Sequence, residues 1–191
     1  MASVPNSGSS APPPPPPVWD ARPTAPTTVR YAGFWLRVVA ALVDAIALAI
    51  VWQIIELFFP MPPPPPPDPD FEALLEYLAS LMPPGKVIAY AVLTWAYFVL
   101  QETSSAQATV GKRLLGIRVS TEDGGKLSIA AASVRTWPMY LPTVVLLAGT
   151  AGTALSALVG FLGFIACIAV AFSARKQGLH DKMAGAFLTR R

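Results

Sequence analysis

The sequence predicts an all-α membrane protein, a small bundle of about four transmembrane helices with both termini in the cytoplasm. Hydrophobic residues make up 53% of the 191-residue chain and charged residues only 13%, unlike a soluble domain. The first apolar stretch, residues 34–59, is long enough to cross a bilayer and carries Arg37 and Asp44 on one helix face. Because an ionisable side chain in hydrocarbon costs about 2.5 to 3.5 kcal/mol, this face is predicted to avoid lipid.

The first 30 residues form a low-complexity tail in front of this helix. Proline, serine and alanine dominate it, and residues 12–17 are an unbroken proline run. Such a composition favours solvated polyproline II, so the tail is predicted to be disordered. It serves as a spacer or as a docking strip for a protein partner with an aromatic groove, and the spacer role is the commoner one.

A proline run at 60–67 ends the first helix, and the following amphipathic stretch predicts a short interfacial helix. A second span is predicted at 84–100. The polar segment after it contains an alternating stretch, 114–120, that leads to the Asp123-Gly124 pair, which indicates a local β-hairpin.

The last two spans are predicted at 128–148 and 153–172. The first of these carries Arg135, Pro138 and Pro142, so it is expected to begin at the interface, kink and only then cross. A three-span chain, in which this segment only enters the membrane, stays open. The final segment is uncharged and contains small residues that allow close helix packing.

Basic residues are concentrated in the segments 112–126 and 175–191, whereas four acids occupy the loop after the first helix. The positive-inside rule therefore places those basic segments in the cytoplasm. Contact with anionic lipid accounts for the net charge of +3, and no nucleic-acid partner is predicted.

Two motifs accompany Arg37 and Asp44. One is the Thr-x-Gly-Lys-x-x-x-Gly-Ile-x-Val pattern of residues 109–119, and the other is His180-Asp181 within 177–185. Together they resemble the RDD family of bacterial membrane proteins, whose arginine and two aspartates correspond to Arg37, Asp44 and Asp181. The resemblance covers about residues 31–189 and implies an RDD-like transmembrane domain in the bacterial plasma (inner) membrane. The family's molecular function is largely undefined, with ion or solute transport proposed for some members.

Three interpretations of Arg37 and Asp44 are open. They could form a structural ion pair that fixes helix register, or Asp44 could be a proton or cation site. Alternatively, Arg37 reaches towards the interface while Asp44 bonds to polar side chains.

Asp181, His180 and Arg135 are predicted to form a cytoplasmic cluster that braces the end of the bundle. His180, as the single histidine, could also shuttle protons near neutral pH. Lys112 and Arg113 are predicted to face lipid phosphates. A nucleotide-binding loop is not indicated, because Ala106 replaces its first glycine and Arg113 its serine or threonine.

One histidine and one membrane-embedded cysteine, Cys167, provide neither a catalytic set nor a metal site, so no enzyme, metal or cofactor is predicted. Cation/proton or small-solute transport is the favoured function. No internal repeat is visible, so transport would require a homo-oligomer or a membrane partner. The alternative is a non-transporting membrane scaffold whose proline-rich tail binds a partner protein.

Overall fold

The computed structural model describes residues 30–190, so the predicted tail lies outside the described residues. The described chain is mostly helical, which confirms that part of the predicted fold class. Its helices are α1 (Phe34–Glu56), α2 (Phe71–Ser80), α3 (Pro84–Thr103), α4 (Val110–Leu114), α5 (Ile129–Val144), α6 (Gly149–Phe172) and α7 (Leu179–Met183). Its two strands are β1 (Ile117–Ser120) and β2 (Phe187–Arg190).

Within residues 30–190, two helical stretches are long and apolar enough to cross a membrane. They are α1 and the stretch Ile129–Phe172, in which a 3-10 turn, Val145–Ala148, joins α5 to α6. Only 17% of the apolar window of each is buried within the protein, and exposed side chains such as Leu42 and Ile46 are aliphatic. Such surfaces are suited to contact with lipid.

Helices α5 and α6 fold back on each other as a helical hairpin. Pro138 and Pro142 lie inside α5, which continues past both and ends at Val144. The chain then reverses through the 3-10 turn and Gly149, whose φ of +66° is in the left-handed region that glycine tolerates. α3 packs along α5, so the hairpin and α3 form the best-packed part of the bundle.

The predicted strand is present, but its partner is not local. β1 pairs antiparallel with β2, with Ile117 opposite Arg190 and Ser120 opposite Phe187. The hairpin prediction was therefore wrong: after Ser120 the chain turns and continues into α5. The apolar face of β1 joins a buried core with Leu188 and Ala32, and this burial favours the remote strand.

This pairing also positions the carboxyl-terminal segment. Tyr31 bridges to Thr189, and Ala32 N donates to Leu188 O at 2.8 Å, so the start of α1 lies beside β2. α7 immediately precedes β2, and Asp181 is thereby brought to the first turn of α1. A contact between residues 144 positions apart in the chain, Arg37 and Asp181, follows from this arrangement.

Candidate functional site

Five buried or nearly buried charged side chains form a continuous series of ion pairs, which we call the charge chain. In order they are Lys112, Glu102, Arg135, Asp181 and Arg37. The Arg135 guanidinium is central: its Nε donates to Asp181 Oδ1 at 2.9 Å, and its Nη1 donates to both Glu102 oxygens. The two acid side chains have no solvent-exposed surface. Each acid lies between two cations, so the charge chain ends in a cation on both sides.

Local structure holds Arg37 and Asp181 in place. Asp181 lies in the first turn of α7, where its Oδ2 accepts from the Gly178 backbone N–H at 3.0 Å, as a capping carboxylate does. Arg37 Nε donates to Ala32 O at 3.1 Å, and its Nη2 donates to Lys176 O. Arg37 therefore connects the start of α1 to the segment between α6 and α7.

Arg37 and Asp44 do not form the ion pair that one interpretation predicted. Asp44 is 1% exposed, and its carboxylate accepts from Tyr97 Oη at 2.7 Å, Thr109 Oγ1 at 2.6 Å and Gly111 N at 2.7 Å. Two helical turns separate the two charges by about 10 Å along the axis, so each finds nearer partners on other elements. Among the described residues Asp44 makes no ion pair.

Lys112 does not face lipid phosphates, so that prediction was wrong. Its side chain turns inward to Glu102, and its Nζ lies 5.5 Å from the centre of the Phe98 ring. Burial lowers the pKa of Lys112, and the Glu102 carboxylate partly offsets that effect. α4 folds back against α1, which encloses Lys112, whereas the neighbouring Arg113 is exposed.

His180 and Arg135 both lie beside Asp181, where the predicted cytoplasmic cluster placed them. His180 Nε2 is 3.4 Å from Asp181 Oδ1, and the residue is 8% exposed. Burial lowers the pKa of His180 to about 4, because Arg135 and Arg37 reinforce the desolvation that Asp181 opposes. The imidazole is therefore neutral near pH 7, which argues against a proton shuttle at that pH.

This burial of a neutral histidine predicts a dependence of stability on pH. The unfolded-state pKa of histidine is about 6.5, so between that pH and the folded pKa of about 4 the unfolded state binds more protons. Stability is therefore lost as pH falls through this window. We expect the drop in thermal midpoint from pH 7.5 to 4.5 to be smaller in His180→Gln than in the wild type, measured in one detergent. Equal drops would show that the histidine does not titrate as described.

Sequence reasoning missed Glu102, Tyr97 and Thr109. Glu102 lies in the last turn of α3 and looked like an ordinary polar boundary of a span, yet it is the counter-charge of both Lys112 and Arg135. One signal was available: Arg135 in an apolar segment requires a buried acid from elsewhere in the bundle. Thr109 is the first residue of the 109–119 motif. Its position in the sequence gives no indication that its hydroxyl donates to Asp44.

A cavity of about 320 Å³ lies beside the charge chain and is lined mainly by α1, α3, α5 and α6, with Lys112 of α4, His180 of α7 and Leu188 of β2. Its polar wall consists mainly of Arg37, Asp44, Lys112, Arg135 and His180. The remaining wall is largely apolar and includes Leu48, Trp52, Met139 and Val170. Along α1 the lining runs from Phe34 to Trp52, so the cavity is elongated and its charges lie towards the amino-terminal half of that helix.

Comparison with known proteins identifies relatives of most of the described chain. The sequence model of the RDD family matches residues 31–185, a range that includes the charge chain and Asp44. A protein of Bacillus subtilis (strain 168) named "Uncharacterized protein YxaI" is 29% identical over 156 residues, which cover 78% of this chain and 91% of the relative. No solved structure matches significantly.

Proposed function

Because this chain belongs to the RDD family, whose members are typically membrane-associated, we propose that it is a bacterial plasma-membrane protein that transports a small solute coupled to protons. The central cavity would hold the solute, and Asp44 would carry the proton. One observation supports this assignment above the others: Asp44 is a buried carboxylate that lines the cavity and makes no ion pair among the described residues. Ionisable groups with this placement often belong to proton pathways.

The surroundings of Asp44 support a reversible proton site. Tyr97 reaches it from α3, whereas Thr109 and Gly111 reach it from the start of α4. All three contacts are donated to Asp44, as an ionised carboxylate requires because it can only accept, and all three donors are neutral. On protonation the two hydroxyl groups can rotate and accept, so hydrogen bonding survives in both states. The charged groups that share the cavity wall are Lys112 of α4, Arg37 of α1 and Arg135 of α5, and the neutral His180 of α7 also lines it.

Protonation of Asp44 would change the net charge of the residues around the cavity. Three cations and two acids give the charge chain a net charge of +1, and ionised Asp44 brings this set to zero. A proton on Asp44 leaves one positive charge uncompensated beside the cavity. Burying an unbalanced charge is unfavourable, so proton uptake would favour an accompanying change in solute occupancy.

The same contacts favour a proton over a metal cation at Asp44. A sodium or calcium ion needs several oxygen lone pairs, whereas Tyr97, Thr109 and Gly111 all direct hydrogens at this carboxylate. Within the described residues there is also no group of three or more His, Cys, Asp or Glu side chains that could hold a metal. The cations along the cavity wall would further repel a metal ion.

We also propose that transport involves a homo-oligomer or a membrane partner. Carriers that alternate access generally rock two structural repeats against each other, and this chain supplies one small bundle. Four spans with both termini in the cytoplasm remain the arrangement that we propose from the sequence, with α3 as the second span.

The test is proton flux in proteoliposomes that contain a trapped pH-sensitive dye. An imposed pH gradient is followed alone, with gradients of sodium, potassium or lithium, and with a panel of small organic acids. We expect a protein-dependent flux that Asp44→Asn reduces at least tenfold, because the amide cannot carry the proton. The matched control is Glu76→Gln, which neutralises an exposed acid of α2 and is expected to keep wild-type flux.

Size-exclusion profiles of both variants must match the wild type before their fluxes are compared. If Asp44→Asn kept the wild-type proton flux, Asp44 would not be part of the proton pathway. No protein-dependent flux under any gradient, with insertion verified, would instead favour the membrane scaffold. In that case, deletion of residues 1–30 should have a larger effect on partner binding than Asp44→Asn.

A further inference from the structure

We infer that the cavity binds a single-chain amphiphile with an anionic head group, the head beside the cations of the charge chain and the chain along α1. Alkyl carboxylates and alkyl sulfonates are the chemical class. This inference rests on the proposed function, since it assigns the class of solute that would occupy the proposed transport site. Three observations support it: the cations of the cavity wall face the cavity, the rest of the wall is largely apolar, and the cavity is open at the side of α1.

The charge chain presents its cations to the cavity and keeps its acids behind them. Arg37, Lys112 and Arg135 line the cavity, whereas Glu102 and Asp181 do not. Side-chain exposure follows the same division, at 11%, 11% and 6% for the three cations and 0% for both acids. Charges behind a buried layer act at greater distance, so the face seen by a ligand is positive. An anionic head group is therefore the complementary ligand.

Beyond Asp44 the cavity wall on α1 becomes apolar. Ala45, Leu48 and Trp52 continue it, and Met139 and Val170 face it from α5 and α6. The lining on α1 extends from Arg37 to Trp52, which are fifteen helical steps apart, or about 22 Å at the helical rise. A polar head region with a long, narrow apolar extension fits one extended hydrocarbon chain. The volume of about 320 Å³ is near the lower end of small-molecule pockets, about 300 to 1,000 Å³, and favours one chain over two.

The cavity is open towards the side of α1. α1 packs extensively against α4, but its contacts with α3 and α6 are sparse. Ala41 and Ala45 line the cavity and are nevertheless exposed. A ligand that partitions into the membrane could therefore enter between helices.

Asp44 distinguishes an anionic from a cationic amphiphile. An organic cation would depend on this carboxylate as its counter-charge, because the other charges lining the cavity are positive. An anion would instead be repelled by ionised Asp44. The substitution Asp44→Asn therefore has opposite effects on the two ligand classes, and the sign of the change identifies the head group.

The experiment measures binding by fluorescence quenching in nanodiscs of zwitterionic lipid that contain the full chain. The probe is a terminally brominated dodecyl sulfonate, which stays ionised at all working pH values. Bromine quenches a tryptophan that it contacts, and Trp52 lines the cavity, so the difference between the wild type and Trp52→Phe isolates the cavity signal. Trp35, which is 76% exposed on α1, reports general partition into lipid. The matched cationic probe is the trimethylammonium compound of equal chain length.

We expect saturable quenching of Trp52 with at least tenfold tighter binding of the sulfonate than of the trimethylammonium probe. Ala45→Phe, which fills the apolar wall, should weaken sulfonate binding at least tenfold. Ala49→Phe, one turn further along α1 and outside the cavity lining, should leave it unchanged. Asp44→Asn should tighten sulfonate binding severalfold.

Three results would overturn the inference: tighter binding of the cationic probe, weaker sulfonate binding in Asp44→Asn, or quenching of Trp52 that is no more saturable than that of Trp35. Tighter binding of a two-chain anionic phospholipid would also reject the single-chain assignment. Because binding is measured without transport, the two proposals fail separately. Saturable sulfonate binding without proton flux would contradict the transport proposal but not this inference. Proton flux without sulfonate binding would contradict this inference but not the transport proposal.

Discussion

Glu102→Gln is expected to be the most destabilising neutralisation in the charge chain, costing about 3 to 5 kcal/mol of the free energy of unfolding. Glu102 is fully buried and is the carboxylate partner of both Lys112 and Arg135. Its removal leaves three cations with one acid, so the net charge of the charge chain rises from +1 to +2. An uncompensated buried charge cannot be solvated, which is the source of the large cost.

The informative comparison is Arg135→Gln. Arg135 and Glu102 each take part in three side-chain hydrogen bonds. Removing Arg135, however, leaves Lys112 with Glu102 and Arg37 with Asp181, which are two neutral pairs. We therefore expect a smaller loss of stability, measured by titration with sodium dodecyl sulfate and circular dichroism. Glu122→Gln is the surface control, because its pair with Arg175 is largely exposed, and its effect should stay within about 1 kcal/mol. A larger loss for Arg135→Gln would show that charge balance does not determine the loss of stability.

The sequence was sufficient to identify Arg37 and Asp44 as candidate site residues, because a charged side chain inside an apolar span is energetically costly and usually has a specific role. It did not determine their partners. Seven-residue spacing places both on one face, but partner choice depended on α4 and α7, which fold onto α1 from distant parts of the chain. Asp181 was identified through the motif resemblance, and its contact with Arg37 depends on the β1–β2 pairing.

The predictions that Lys112 faces lipid phosphates and that β1 forms a local hairpin were wrong for the same reason. A polar segment between spans is usually solvated, so its basic residues were assigned to the lipid surface and its strand to a neighbouring partner. In the structure this segment packs inward, and β2 supplies the partner of β1 from some 70 residues away. Local periodicity carries no information about pairing at that distance.

Gly111 shows the same limit at a single residue, and Gly111→Ala is the second substitution with a large expected effect. Gly111 and Gly116 are the two glycines of the 109–119 motif, and the usual interpretation of such glycines is a tight turn. Gly116, with a φ of +66°, fits that interpretation. At Gly111 the reason is close approach: an added Cβ would lie 2.1 Å from the Ala40 backbone oxygen and 3.1 Å from Asp44 Cγ. The nearest atom belongs to the backbone of α1, so no side-chain rotation can relieve the clash.

Gly111→Ala must therefore move α4 away from α1 and break the Gly111 N–H to Asp44 bond of 2.7 Å. We expect a loss of at least roughly 3 kcal/mol of unfolding free energy, at the upper end for overpacking, again measured by detergent titration. Gly85→Ala is the matched control, because its Cβ would meet only the Phe59 ring at 3.5 Å and alanine favours the helix. Equal stability of the two variants would mean that α4 does not pack this closely on α1. If Gly111→Ala still assembles, its proton flux should fall with that of Asp44→Asn, because the displaced backbone no longer holds the carboxylate at the cavity wall.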